Sequence, residues 1–171
     1  MAAQSVQETD CWSTTVILSN TLKDHEIATA LQSQQHKIRF SETVLSASVI
    51  FPLSGIAFLL VNSQELFNTP RETLDDKIKR FISVHRNSFL AIVADFHGPE
   101  EWHLMFNIQL RFLGSNLQII PAHNGADVVK SMLTVAKATC KPHIENIQER
   151  LCQAKMRITE NSPVWKTLEQ I

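Results

Sequence analysis

Between Phe89 and His123 the chain reads as strand, helix and strand, and this unit restricts the fold more than any other stretch. Phe89-Leu90-Ala91-Ile92-Val93-Ala94 is a continuous apolar run, the pattern of a strand covered on both faces. Pro99, Glu100 and Glu101 follow Gly98, which places proline and two carboxylates in a helix first turn, where the helix dipole favours negative charge. The helix is expected to end near Gly114, and Leu117-Gln118-Ile119-Ile120 begins the next strand. In α/β proteins ligands gather at the carboxyl ends of such strands. This unit carries no phosphate loop and no paired acid and base there, so its residues point toward binding rather than chemistry.

The same alternation extends in both directions. Residues 1–12 read as a disordered lead. Thr14–Ser19 is a first strand, Thr21–Gln34 a helix, and Lys37-Ile38-Arg39-Phe40 an edge or half-buried strand. Ser48–Val61 is the longest apolar run, but Pro52, Ser54 and Gly55 divide it into two strands and a tight turn. A polar loop from Asn62 leads to Thr69-Pro70-Arg71-Glu72, a capping box before a helix with Leu74, Ile78, Phe81, Ile82 and His85 inward. After Pro121 a helix is expected over Gly125–Thr139. The sum is an α/β domain over 13–140, a mostly parallel sheet with helices on both faces joined by right-handed crossovers.

From residue 141 the pattern is helical only. Ile144, Ile147, Leu151, Ala154 and Ile158 recur at three- and four-residue spacing, a seam suited to a facing helix. Ser162 caps a last short helix whose stripe is Val164, Trp165, Leu168 and Ile171. Residues 141–171 thus form a partial helical module, too short to close a core of its own.

Composition narrows the function. With 44% hydrophobic and 19% charged residues the chain belongs with folded globular proteins. A formal net charge of −1 offers no global attraction for nucleic acid. Residues 1–125 carry 9 basic against 12 acidic side chains and residues 126–171 carry 7 against 5, so any phosphate contact is expected in the C-terminal part. Three cysteines without C-x-x-C spacing and a start lacking a signal-peptide pattern point to the cell interior.

Four glycines, none in nucleotide-binding spacing, leave no support for a nucleotide enzyme. Seven histidines include no i, i+4 pair on an expected helix, and no metal or catalytic set emerges. Asp95 and His97 lie where an α/β strand presents catalytic groups, so a small α/β enzyme with an atypical ligand site there is the alternative reading.

The helix after Gly98 is too apolar for one buried face: Trp102, Leu104, Met105, Phe106, Ile108, Leu110, Phe112 and Leu113 wrap over half its circumference. Either the C-terminal helices cover its second face or another protein does. The unfinished C-terminal module favours a partner, with Trp102, Met105, Phe106, Phe112, Ile144, Ile147, Leu151 and Trp165 as candidate contacts. Lys155, Arg157 and Lys166, with Lys137 and Lys141 nearby, are candidate DNA contacts, although interleaved glutamates fit a solvated face equally well.

His97-Gly98-Pro99-Glu100-Glu101-Trp102, Arg111-Phe112-Leu113-Gly114 and Ser162-Pro163-Val164-Trp165-Lys166-Thr167-Leu168 resemble the vertebrate homologues of yeast sporulation-specific protein sixteen, from Trp12 to Ile171. That resemblance implies a nuclear protein of meiotic chromosomes, in the crossover-promoting ZMM group, and the non-catalytic half of an XPF-like heterodimer. The implied partner is the XPF-like "shortage in chiasmata" protein, with the pair acting on branched DNA and in synapsis and no cofactor required. It further implies an XPF nuclease-like central domain and a helical module related to helix-hairpin-helix. The nuclease motif G-D-x(n)-E-R-K-x-x-x-D has only Glu149-Arg150 as a partial match, and residues 142–171 contain no hairpin glycine.

Overall fold

The computed structural model describes residues 12–160. The expected lead over 1–12, apart from Trp12, and the last helix over 162–171, with Trp165 and Lys166, lie outside the described residues.

Six strands form one sheet in the order β2-β1-β3-β4-β5-β6: β1 (Thr15–Ser19), β2 (Lys37–Ser41), β3 (Ser48–Phe51), β4 (Ile56–Asn62), β5 (Ser88–Val93) and β6 (Leu117–Ala122). β3 alone runs against the other five, pairing Ile17 with Ile50 on one side and Ile50 with Ala57 on the other. Phe51, Ser54 and Gly55 make the expected tight turn, with Gly55 at φ +66° donating its N–H to the Phe51 carbonyl at 3.0 Å. The central strands β4 and β5 are buried along almost their whole length, matching their unbroken apolar sequence.

Helices α1 (Glu26–Ser33) and α5 (Gly125–Thr139) cover one face, where Ile27, Leu31, Val129 and Met132 meet Val16, Leu18, Phe58 and Phe89. Helices α2 (Ser63–Asn68), α3 (Arg71–Val84) and α4 (Pro99–Arg111) cover the other, where Leu66, Ile78, Phe81, Met105 and Ile108 meet Leu59, Val61, Leu90 and Ile92. The step from β1 to β2 travels one way along the sheet and the steps β4 to β5 to β6 the other. Crossover helices on opposite faces are what a single crossover handedness requires. Each buried Leu, Ile or Phe in these layers contributes about 1.5–3 kcal/mol. The last described helix, α6 (Lys141–Glu160), follows α5 directly after Cys140 and is in contact with it.

Three expected boundaries differ. The helix expected over Thr21–Gln34 is a short 3-10 turn at Asn20–Leu22 followed by α1, because the His25 Nδ1 accepts the Ile27 N–H and starts a new helix. The expected loop after Asn62 contains α2, capped by the Asn62 Oδ1, which accepts the Glu65 N–H at 2.7 Å. Thr69 therefore closes α2 instead of capping α3, and Pro70 precedes α3 without a side-chain cap.

Candidate partner-binding surface

Gly98 starts α4: its N–H donates to the Glu101 carboxylate at 2.9 Å, and Pro99 takes the first helical position, where no amide hydrogen is needed. Met105 and Ile108 anchor the helix on the sheet. On one flank Leu104, Asn107 and Arg111 turn to α3, and the Arg111 guanidinium pairs with the Asp75 carboxylate. The opposite flank is apolar and open. Trp102, Phe106 and Leu110 are 54%, 59% and 51% exposed, and at 3.6 residues per turn they lie within roughly 80° of one another; Leu113, 78% exposed, follows in the turn just after the helix.

This stripe lies on the β6 side of α4. The Trp102 ring is 6.1 Å from the His97 ring, and the His97 Nε2 donates to the Ala122 carbonyl at the end of β6 at 2.9 Å. β6 is the last strand of the sheet, so its outer backbone edge pairs with no strand among the described residues. Phe96, 74% exposed, extends the apolar surface past the start of α4. An apolar stripe beside an unpaired strand edge suits a protein partner, with area to bury and backbone groups to pair. Covering the four stripe residues would return on the order of 1–2 kcal/mol each.

The candidate contacts divide on this frame. Trp102 and Phe106 lie on the open stripe. Met105, 4% exposed, is not available to a partner, because its position points into the protein's own core. Phe112 is half-buried and packs on that core as well. Leu110 and Leu113 belong to the stripe but are not among the expected contacts; their spacing from Trp102 and Phe106 (four, four and three residues) is the signal that marks them. On α6, Ile144 is half-buried while Ile147, Leu151 and Ile158 are exposed, and Met156 joins them. Lys155 and Arg157 are exposed on the same helix, whose first half carries Glu145 and Glu149.

The strand-end site has a different character. A cavity of about 270 Å³ opens there, lined by His25, Glu26, Asn62 and Glu65 over Leu22, Leu60 and Val61, and its lining includes neither Asp95 nor His97. Three of its polar side chains serve the helices: His25 and Asn62 cap α1 and α2, and the Glu26 carboxylate accepts the Gly125 N–H at the start of α5. Asp95 is exposed. His97 lies beside His123, ring centroids 5.3 Å apart, with a buried Nδ1 that has no hydrogen-bond partner. Among the described residues no three His, Cys, Asp or Glu side chains converge as a metal site would require. Glu149 and Arg150, the partial nuclease motif, are exposed on α6 rather than at a strand end.

Solved structures share this arrangement. XPF from Aeropyrum pernix in complex with DNA superposes with a TM-score of 0.59, covering 75% of this chain and 66% of that one at 12% identity. A second structure of XPF from Aeropyrum pernix gives 0.57, with 79% and 69% covered at 10% identity. At such identities the likeness is one of fold: a mostly parallel XPF nuclease-like sheet followed by C-terminal helices. At the level of sequence, residues 10–171 match the family model described as SCRE, protein SPO16 homolog. The human protein SPO16 homolog is 50% identical over 169 residues, spanning 99% of this chain and 94% of the human protein. Matched along nearly its whole length by both the family model and the human protein, the chain belongs to the SPO16 homolog family.

Proposed function

We propose that the chain is the non-catalytic subunit of an XPF-like heterodimer that promotes meiotic homologous recombination and crossover formation. It stabilises its partner on branched DNA intermediates and supports synapsis, on meiotic chromosomes in the nucleus. The observation that carries this reading is the open stripe Trp102-Phe106-Leu110-Leu113 beside the outer edge of β6, which pairs with no strand among the described residues; this apolar surface is larger than α4 needs for its own packing. The exposed seam of Ile147, Leu151 and Ile158 on α6 supports it, since helix faces of this kind pair with a second helix. The strand-end cavity supports the non-catalytic part, because three of its polar side chains, His25, Asn62 and Glu26, are committed to helix ends.

The partner of the proposed pair is the XPF-like "shortage in chiasmata" protein, which would supply the second apolar surface. Co-expression of the two chains followed by size-exclusion chromatography tests the assignment. A single co-eluting peak is expected, with binding to forked and four-way DNA. Separate elution from each XPF-like candidate would overturn it.

A further inference from the structure

A groove of about 570 Å³ on the opposite face of the sheet takes no part in the proposed pairing. It lies between the outer flank of α5 and the turn joining α1 to β2, and Trp12, Gln34, Lys130, Leu133, Thr134 and Lys137 line it. Its lining holds two ammonium groups and no carboxylate. Lys130 and Lys137 are two turns apart on α5, roughly 10 Å along the axis, with Leu133 and Thr134 between them. Trp12 is braced from below: its ring meets the His36 ring edge-on at 5.5 Å, and the His36 Nδ1 accepts the Thr14 N–H at 3.2 Å. Trp12 and Leu133 also pack on the core, so the aromatic ring has a rigid mount beside two cations. α6 differs, since it carries both acidic and basic side chains.

An aromatic ring beside cations, in a groove whose lining holds no carboxylate, suits single-stranded nucleic acid. The ring stacks on any base while the cations follow the backbone. We propose that this groove is a contact site for single-stranded DNA, with Trp12 stacking on a base, Lys130 and Lys137 meeting successive stretches of phosphate backbone, and Gln34 and Thr134 offering hydrogen bonds. The inference rests on the reading that the chain acts on branched DNA, whose junctions expose unpaired strands. An acidic protein segment would use the lysines but leaves the stacking surface without a purpose.

The test titrates the full chain in complex with its partner against labelled oligothymidylate of about 30 nucleotides and against poly-glutamate, by anisotropy at several salt concentrations. Replacing both lysines, K130Q with K137Q, is expected to lower the salt slope on oligothymidylate by about 1.4, or 0.7 per lost phosphate contact. Trp12→Ala is expected to weaken binding about tenfold and Trp12→Phe to restore most of it. The lysines are exposed, so their replacement reports on the groove even where Trp12→Ala disturbs folding. Wild-type binding left unchanged by all these variants overturns the groove alone. A wild-type complex that binds no DNA overturns the branched-DNA reading and the groove with it. Variants that lose poly-glutamate yet keep oligothymidylate would reassign the groove to an acidic protein segment.

Discussion

The Glu26 carboxylate accepts a hydrogen bond from the Gly125 N–H at 3.0 Å, joining the first turn of α1 to the first turn of α5 across 99 positions of sequence. A carboxylate at a helix N-terminus gains from the dipole as well as from the bond. The contact also accounts for glycine here, because a Cβ on residue 125 would lie 2.2 Å from the Glu26 Oε1. Glu26 is exposed and can swing aside, so the collision is relieved by giving up the bond. Gly125→Ala is therefore expected to cost about 1 kcal/mol. In a Glu26→Ala background the same change should be neutral or stabilising, since alanine favours helix by up to about 1 kcal/mol over glycine. Urea unfolding of the four-member cycle measures the coupling. Equal cost in both backgrounds would show that Glu26 does not dictate the glycine.

α5 itself was legible residue for residue, since Asn124 and Gly125 open it and its apolar spacing continues to Thr139. The hairpin of β3 and β4 was equally plain from Pro52 and Gly55. α2 was not, because it buries Leu66 alone and one apolar residue has no periodicity. The break before α1 depends on a histidine nitrogen acting as a cap, a role outside the usual Ser, Thr, Asp and Asn signal. The candidate surface was half legible. Excess apolar sequence around α4 showed that one face remained open, but Met105 was separated from Phe106 only by the register of the helix on the sheet. The groove at Trp12 was not legible, because Trp12, Gln34 and Lys130 are far apart in sequence and meet only through the sheet order.

Two histidines, His36 buried and His85 half-buried, give the fold a defined acid limit. Both titrate below the usual histidine value, because burial penalises the charged imidazolium. Protonation of His36 would also place a donor against the Thr14 N–H that its Nδ1 now accepts. In the unfolded chain both rings take up protons near pH 6.5 while the folded state still resists. The unfolded state then binds more protons, so stability falls as pH drops through about 6.5 toward the folded values. Thermal midpoints should be flat above about pH 7.5 and decline between about 7 and 5. His36→Asn keeps an acceptor for Thr14 without the titration, and should remove part of that decline. An unaltered decline would mean that His36 contributes nothing to it.

Gly55 offers a backbone test of the β3–β4 turn. At φ +66° it occupies a left-handed conformation with open space around a would-be Cβ, so a substituent meets strain but no collision. Gly55→Ala should cost on the order of 1 kcal/mol, and Gly55→Asn less, because asparagine tolerates this region. A valine there is expected to cost more than either, as a β-branched residue is least suited to positive φ. Chemical denaturation ranks the three, and valine equal to asparagine would show that the turn rearranges instead of bearing strain.

Met105 and Phe106 are neighbours in sequence that face opposite fates, one 4% exposed against the sheet and one 59% exposed on the stripe. Truncating each to alanine separates folding from pairing. Met105→Ala leaves a cavity beneath α4 and should destabilise the free chain by about 2–5 kcal/mol. Phe106→Ala removes little that the free chain uses, so its stability should stay within about 0.5 kcal/mol of the parent. In the proposed heterodimer the order is expected to reverse. Large aromatic side chains at the centre of an interface commonly contribute about 2 kcal/mol or more, so Phe106→Ala is expected to weaken the complex at least about tenfold. Phe106→Glu, which adds a charge needing water, should abolish co-elution. If Phe106→Glu leaves the complex intact while the exposed seam on α6 proves sensitive (Ile147→Glu, Leu151→Glu), pairing runs through α6 and the α4 stripe is not its surface.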